Sequence, residues 1–273
     1  MPELPEVETI RRYLAPRLAG AIVRDVVVHD GRLRRPVPRG VRSDLPGQRI
    51  ERVDRRGKYL LLSSAAGTAI VHLGMSGSLR LTEAGAPPAT HDRIELLFAA
   101  GQSLRFNDPR RFGSWQWARR DPLDHPALRC LGPEPLDRGF DGRGLRRALR
   151  RRSSAVKLAL LDQSLVAGVG NIYASEALFA AGVRPTARAS SLSPARCDRL
   201  AVAIKQVLAA AIACGGTTLD DEGYASADGT PGRFQVELMV YGRAGEPCRR
   251  CGRAIRALRQ GQRTTYFCPR CQR

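Results

Sequence analysis

CRRCGRAIRALRQGQRTTYFCPRC, residues 248–271, holds four of the seven cysteines in the pattern C-x2-C-x16-C-x2-C. Two thiolate pairs, each on a tight turn, close a tetrahedron around Zn²⁺, and a hairpin between them sets their separation. A redox dithiol needs one such pair and usually sits in a βαβ setting, which is not the pattern here. With Cys248, Cys251, Cys268 and Cys271 filling the coordination sphere, one Zn²⁺ is structural and leaves no open position for catalysis. Cys130, Cys197 and Cys214 stand singly in apolar or helical contexts and read as inert thiols. The hairpin carries Arg249, Arg250, Arg253, Arg256, Arg259 and Arg263. That face is either solvated or laid against phosphate, and of the six Arg263 is singled out.

Working outward, residues 235–273 make the zinc finger, and the region before it is helical. Leu145–Arg151 is short and basic, Ala155–Gln163 follows, and Ile172–Ala181 is apolar on a 3.6-residue period. Ser193 caps a long helix over Ala195–Ala213, ended by Gly215 and Gly216. Asp220–Gly232 is polar and Gly-rich and reads as a mobile loop. A Pro/Gly-rich connector, Leu131–Gly144, separates this part from residues 1–132. There Val7, Ile10, Leu14 and Leu18 share one helical face. Eight short strands then follow, Ala21–His29, Arg49–Arg55, Tyr59–Ser63, Thr68–His72, Gly77–Leu81, Arg93–Ala99, Ser103–Asn107 and Ser114–Ala118. Turns between them indicate a sandwich or barrel rather than βαβ units. The fold class is α+β: an N-terminal sandwich or barrel with a first helix, a helical domain over 133–234, and the zinc hairpin.

The 273 residues suffice for a buried core, and 43% are hydrophobic, a globular share. Apolar runs are too short for a membrane span, and the acidic opening MPELPEVE is unlike a secretory leader. Lys plus Arg is 45 against 26 Asp plus Glu, a formal charge of +19, or about +17 once four thiolates and Zn²⁺ are counted. Such an imbalance repels itself unless a polyanion relieves it, so nucleic acid leads the partners. An Arg-biased genome is the bland alternative.

The opening Met1-Pro2-Glu3 invites removal of the initiator Met, which exposes Pro2 as a secondary amine. An α-amine of pKa about 8 is partly unprotonated at neutral pH and nucleophilic. Adding to an aldehyde-level carbon, it gives an iminium that acidifies the neighbouring C–H. Many chains begin Met-Pro without such a role, but here Glu3 and Glu6 share one side of a first helical turn. HLGMSG (72–77) and NDPRRFG (107–113) place Met75, Arg110 and Phe112 in turns, either as packing or as wedges for a base stack. AGVGNIYASE (167–176) is a glycine turn opening a helix, where free N–H groups and Asn171 make a phosphate seat.

PELPEVET, RRGKYLLL, HLGMSG, NDPRRFG, AGVGNIYASEALF, VYGRAGEPC and QRTTYFCPRCQ occur here in order, and together the chain closely resembles bacterial formamidopyrimidine-DNA glycosylases over its whole length. The resemblance implies an N-terminal β-sandwich with a long first helix, in a monomeric, cytoplasmic repair enzyme with double-stranded DNA in a cleft between two domains and a helix–two-turn–helix in the second. It excises oxidised purines such as 8-oxoguanine and cuts the strand by β- and δ-elimination. By the same matching Pro2 is the nucleophile, Glu3 the general acid/base and Glu6 a supporting carboxylate. Lys58, His72, Asn171, Arg263 and Arg111 grip phosphates. Met75, Arg110 and Phe112 fill the gap left by the extruded base, and Lys157 touches the lesion or its phosphate. Two departures stand out: the acidic Asp220-Asp221-Glu222 and Arg93 where the family more often has His. The alternatives are an endonuclease VIII-type enzyme for oxidised pyrimidines, disfavoured by PELPE and by Arg110 with Phe112, and a non-catalytic zinc-bearing DNA binder.

Overall fold

A computed structural model describes residues 1–217 and 233–273; the 220–232 loop expected from the sequence lies outside them. The chain forms two compact units. The first is Met1–Arg129 with the described part of Cys214–Arg233, and the second is Cys130–Ala213 with Phe234–Arg273.

In the first unit, Leu4–Leu18 forms α1, with Glu3 as its N-cap and Pro5 in its first turn, where a missing N–H costs nothing. Val23–Val28 (β1), Asp92–Phe98 (β6), Gln102–Asn107 (β7) and Ser78–Glu83 (β5) make one antiparallel sheet in the order β1-β6-β7-β5. Arg52–Arg56 (β2), Tyr59–Ser64 (β3), Gly67–His72 (β4) and Ser114–Ala118 (β8) make a second, β2-β3-β4-β8. One apolar core joins them. Val7, Ile10, Leu14 and Leu18 of α1 lie in it with Val23 and Val26 from one sheet edge, Leu60, Leu62 and Val71 from the second sheet, and Ile94, Leu96, Leu104 and Phe106 from the first. This is the expected sandwich with its helix. All eight strands are present, Ser114–Ala118 with both ends as expected and the others with ends shifted by at most three residues. Arg39–Ser43 (α2) was not expected. Its Gly40 sits where a Cβ would lie 2.5 Å from the Trp117 ring, so a short segment read as a turn is packed closely enough to wind.

In the second unit, Gly142–Leu149 (α3) begins three residues before the helix read at Leu145. Asp141 caps it by accepting from Gly144 N–H at 2.7 Å, a signal hidden inside a stretch rich in glycine. Val156–Leu161 (α4), Asn171–Ala180 (α5) and Pro194–Ala213 (α6) follow. Both α3 and α5 pack on α6, and α4 on α5. The left-handed Gly215 and Gly216 end the long helix as expected. Arg256–Gln260 (β9) and Arg263–Phe267 (β10) form an antiparallel hairpin, with β10 against α5. Phe179 of α5 shares a small core with Val240, Cys248, Ile255 and Cys268. Glu176, buried one turn earlier, accepts N–H bonds from Met239, Val240 and Tyr241 at 2.8–3.0 Å and so ties α5 to the lead into the hairpin. No described helix is long and apolar enough to cross a membrane.

One buried carboxylate fastens α1 to β2. Glu8 accepts from Arg11 at 2.8 and 2.9 Å, from Arg12 at 2.9 Å and from Arg55 at 3.2 Å. Burial alone would push its carboxyl up, but the three guanidinium groups outweigh burial and hold it at about 2. A depressed carboxyl contributes stability above its ordinary pKa and loses it as pH falls through the folded value. Glu8→Gln should therefore be less stable than the parent at neutral pH, with the difference closing between about pH 4.5 and 2. Urea unfolding across that window, with a gap that stays constant, would contradict this.

Candidate active site and nucleic-acid interface

The amino terminus is anchored rather than frayed. Pro2, Glu3 and Glu6 are all buried. Glu3 N–H donates to Glu6 Oε2 at 2.7 Å, and the other oxygen, Oε1, accepts from Thr217 N–H at 2.9 Å. One carboxylate thus fixes the residue after Pro2 and clamps a segment distant in sequence to the first helical turn. Gly216 is required beside it, because at its φ of +86° a Cβ would stand 2.9 Å from Glu6 Oε1. The sequence assigned Glu6 a supporting role; its partner Thr217, 211 residues away, gave no sequence signal.

A chain of contacts leads from α1 to Lys58. Arg55, held by Glu8, also donates to Gly57 O at 2.9 Å and shapes the β2–β3 turn that bears buried Lys58. His72, at the end of β4, faces Tyr59 across the sheet with ring centroids 4.8 Å apart. Burial, then the charges of Lys58 and Arg34, lower its pKa to about 4, so the ring is neutral at physiological pH. Its Nδ1 accepts from Gly74 N–H at 3.0 Å, which leaves Nε2 as the N–H donor, suited to a phosphate oxygen.

Met75, Arg110 and Phe112 come together although 35 residues separate their turns. Gly74, at φ +69°, lies so near the backbone of Phe112 and Gly113 that a Cβ would come within 2.4 Å of it. Arg110 Nε donates to Ser76 Oγ at 3.2 Å, and its guanidinium lies 6.0 Å from the Phe112 ring centroid. Phe112 is 52% exposed, a large apolar ring left in water. The loop below is stiff. Asp108, fully buried, accepts from Gly113 N–H at 2.7 Å, and Arg93 Nε donates to Asp108 O at 3.0 Å. Arg111, left-handed at φ +59°, pairs with Asp30 at 2.9 Å, and Arg93 reaches the same carboxylate at 3.2 Å. Ser76, Asp30 and Arg93 as loop supports escaped the sequence reading. Arg93 had stood out only as a departure, and its burial shows why a long forked donor matters there.

In the second unit, Asn171 opens α5 after Gly170, and the glycine turn before it is braced by Gln163. That side chain accepts from Gly168 N–H and donates to Val169 O, each at 2.8 Å. Asn171 Nδ2 donates to Thr264 O at 3.2 Å, while its Oδ1 is buried without a hydrogen-bond partner. Exposed Arg263 precedes Thr264 at the start of β10, so the two predicted phosphate ligands share one corner. Lys157 lies behind the same corner. It is fully buried, and its Nζ donates to Thr264 O at 3.1 Å and Thr265 Oγ1 at 2.8 Å, so its ammonium holds this corner from inside.

The four sulfurs of Cys248, Cys251, Cys268 and Cys271 all lie within 4.8 Å of one another, with Cys251–Cys268 at 3.5 Å and Cys248–Cys271 at 4.0 Å. Tetrahedral Zn–S bonds of about 2.3 Å require sulfur separations of about 3.8 Å, so the site fits one Zn²⁺. Cys130 is exposed, Cys197 buried and Cys214 half-buried, and none of these three joins a metal-ligating group among the described residues.

Three family descriptions match the chain in order: "Formamidopyrimidine-DNA glycosylase N-terminal domain" over residues 1–115, "Formamidopyrimidine-DNA glycosylase H2TH domain" over 131–222, and "Zinc finger found in FPG and IleRS" over 245–273. The chain is 56% identical to the formamidopyrimidine-DNA glycosylase of Pseudomonas paraeruginosa and 54% identical to that of Methylococcus capsulatus, each over 273 residues and the full length of both chains. Among solved structures it is similar to the MutM (Fpg) protein of Thermus thermophilus, at 44% identity and TM-score 0.89, covering 99% of this chain and 98% of that one. It is also similar to the Lactococcus lactis Fpg in complex with DNA containing an abasic site, at 36% identity and TM-score 0.91 over 99% of each.

Two outcomes test the geometry. Metal analysis should find one zinc per chain, lost in Cys251→Ser together with hairpin order. A folded, zinc-free hairpin would refute the structural assignment. In the free protein, an NMR titration should place the His72 midpoint near pH 4, and a midpoint in the ordinary imidazole range would contradict its desolvated setting.

Proposed function

The chain belongs to the formamidopyrimidine-DNA glycosylase family, and from that premise we propose a bifunctional glycosylase and strand-cutting lyase for oxidised purines, with Pro2 as nucleophile. It is a DNA glycosylase with a zinc-finger domain. The single observation that carries the finer reading is the carboxylate arrangement at the amino terminus. Glu6 fixes the backbone at Glu3, so a Pro2 freed of Met1 is held beside a buried acid.

The steps follow from that pairing. The lone pair of Pro2 N attacks C1′ of the damaged nucleotide, the glycosidic bond breaks, and the base leaves with its electron pair and takes up a proton. Glu3 as acid protonates O4′, the sugar opens, and an iminium links Pro2 to C1′. This electron sink acidifies C2′–H. Loss of that proton expels the 3′ phosphate, and a second elimination expels the 5′ phosphate.

Attack at C1′ requires an extruded nucleotide, at a cost of a few kcal/mol. Met75, Arg110 and Phe112 fit the vacated space, with Arg110 toward the orphaned cytosine. Lys58, neutral His72 and Arg111 in the first unit, and Asn171 and Arg263 in the second, supply donors for DNA phosphates. Residues 1–132 then carry chemistry, 133–234 the helix–two-turn–helix and 235–273 the zinc finger, in a cytoplasmic monomer acting on duplex DNA. Relatives support the substrate class: Lactococcus lactis Fpg is seen with DNA containing an N7-benzyl-Fapy-dG lesion and with DNA containing an abasic site.

Borohydride present during reaction with an 8-oxoguanine duplex should trap the chain on DNA. Stronger trapping on a 5-hydroxycytosine duplex would favour the pyrimidine enzyme, and none on either a non-catalytic binder. Pro2→Gly should lose strand cleavage and keep salt-sensitive DNA binding. Intact-mass analysis of strand-cutting protein should show Met1 absent; its retention would overturn the nucleophile.

A further inference from the structure

The short basic stretch ahead of α4 is left unused by this reading. Arg143, Arg146, Arg147, Arg150 and Arg151 line a cleft of about 540 Å³ with no other residue in its wall. Four of the five are exposed, and Nε of the half-buried Arg146 has no hydrogen-bond partner. None of them pairs with a described carboxylate, although Asp141 and Asp198 flank the first turn of α3.

In the first unit, by contrast, two carboxylates each gather several arginines. Glu8 gathers Arg11, Arg12 and Arg55, and Asp30 gathers Arg32, Arg93 and Arg111. Like charges three and four residues apart each destabilise a helix by about 0.2–0.5 kcal/mol. The negative end of the helix dipole offsets this for Arg146, Arg147 and Arg150, but Arg143 sits in the first turn, where the dipole opposes it. An anion spanning the cleft removes the repulsion along its whole length.

The ligand follows from shape and place. Side chains three and four residues apart leave one helix face with Cβ atoms about 5–6 Å from one another, so their guanidinium groups form a row rather than a single point charge. Each presents a fork suited to phosphate oxygens. A second hollow, of about 440 Å³, runs from Arg147 and Arg151 to Ser164 and Leu165. Arg152 ties the end of α3 to the same turn, pairing with Asp162 at 2.8 Å and donating to Ser164 Oγ at 3.3 Å. That turn leads into Gly168–Asn171. We propose that the α3 arginines form a second phosphate-binding surface, which takes the DNA backbone outside the lesion site. The proposal rests on the DNA-repair reading and extends it to non-specific grip.

The test compares full-length parent with Arg143→Gln/Arg147→Gln/Arg151→Gln on two abasic-site duplexes, one barely longer than the lesion site and one extending several turns. Each phosphate contact contributes about 0.9 to the slope of log affinity against log salt. On the long duplex the triple variant should lose about 2 to 3 from that slope, and Arg→Lys at the same positions should retain it. Excision of 8-oxoguanine from the short duplex should be unchanged. Should the triple variant fail to fold, Arg147→Gln alone should lower the long-duplex slope by about 0.9. Equal slopes on the long duplex overturn the proposal, including where the variant loses only binding to poly-glutamate, which would make the comb an acidic-protein surface. Absent excision by the parent would instead strike at the DNA-repair reading, so the two failures are separable.

Discussion

The arrangement at the amino terminus depends on one carboxylate with two jobs. Glu6 Oε2 accepts from Glu3 N–H and Oε1 from Thr217 N–H, in a setting from which water is excluded. A charged acceptor gains more from each such bond than a neutral one, and a buried ion left unsatisfied is costly. The terminus of a chain is ordinarily its loosest part. Here the first helical turn is locked by bonds to its own N-cap and to a segment more than two hundred residues on. A nucleophile carried on a terminal amine needs that rigidity, because misplacement by an ångström forfeits much of the benefit of proximity.

The same economy appears in the loops. Gly74 allows two turns to touch backbone to backbone, and buried Asp108 with Arg93 and Asp30 holds the second turn open around Arg110 and Phe112. An exposed Phe gains nothing by itself in water. Rigid support keeps it from folding back onto its own loop, which leaves its apolar ring exposed, as the proposed wedge role requires.

Much of this was legible in sequence. The thiolate spacing marked the hairpin, the apolar face of α1 and eight short strands between turns indicated a sandwich or barrel, and one glycine pair marked the end of α6. Helix α2 and the early start of α3 were hidden because Gly40 and Gly142 read as turn formers, whereas packing against Trp117 and capping by Asp141 decided the matter. The site residues themselves were readable as types in motifs. Their supports were not, since Thr217 for Glu6, Ser76 for Arg110 and Thr264 for Asn171 are partners made only by folding. Lys157 shows the limit most clearly. Only the resemblance assigned it to the lesion or its phosphate, and nothing in the sequence foretold that its stem would be buried with its ammonium donating to a carbonyl and a hydroxyl of β10.

The net charge of +19 already subtracts every carboxylate, so what pairing decides is where the positive charge lies. Glu8, Asp30, Asp92 and Glu95 absorb guanidinium groups into the sandwich, where these act as bolts between strands and loops. Buried Lys157 likewise donates to groups of its own unit. The arginines left without carboxylates then matter more than the total, and on α3 they form a continuous row. Field at a surface comes from charges that remain solvated, falling off within about 8–10 Å at physiological salt. A cluster on one face therefore acts on DNA passing beside it and not on the rest of the molecule. It gives the chain a means of staying on a polyanion that is separate from the means of recognising a damaged base.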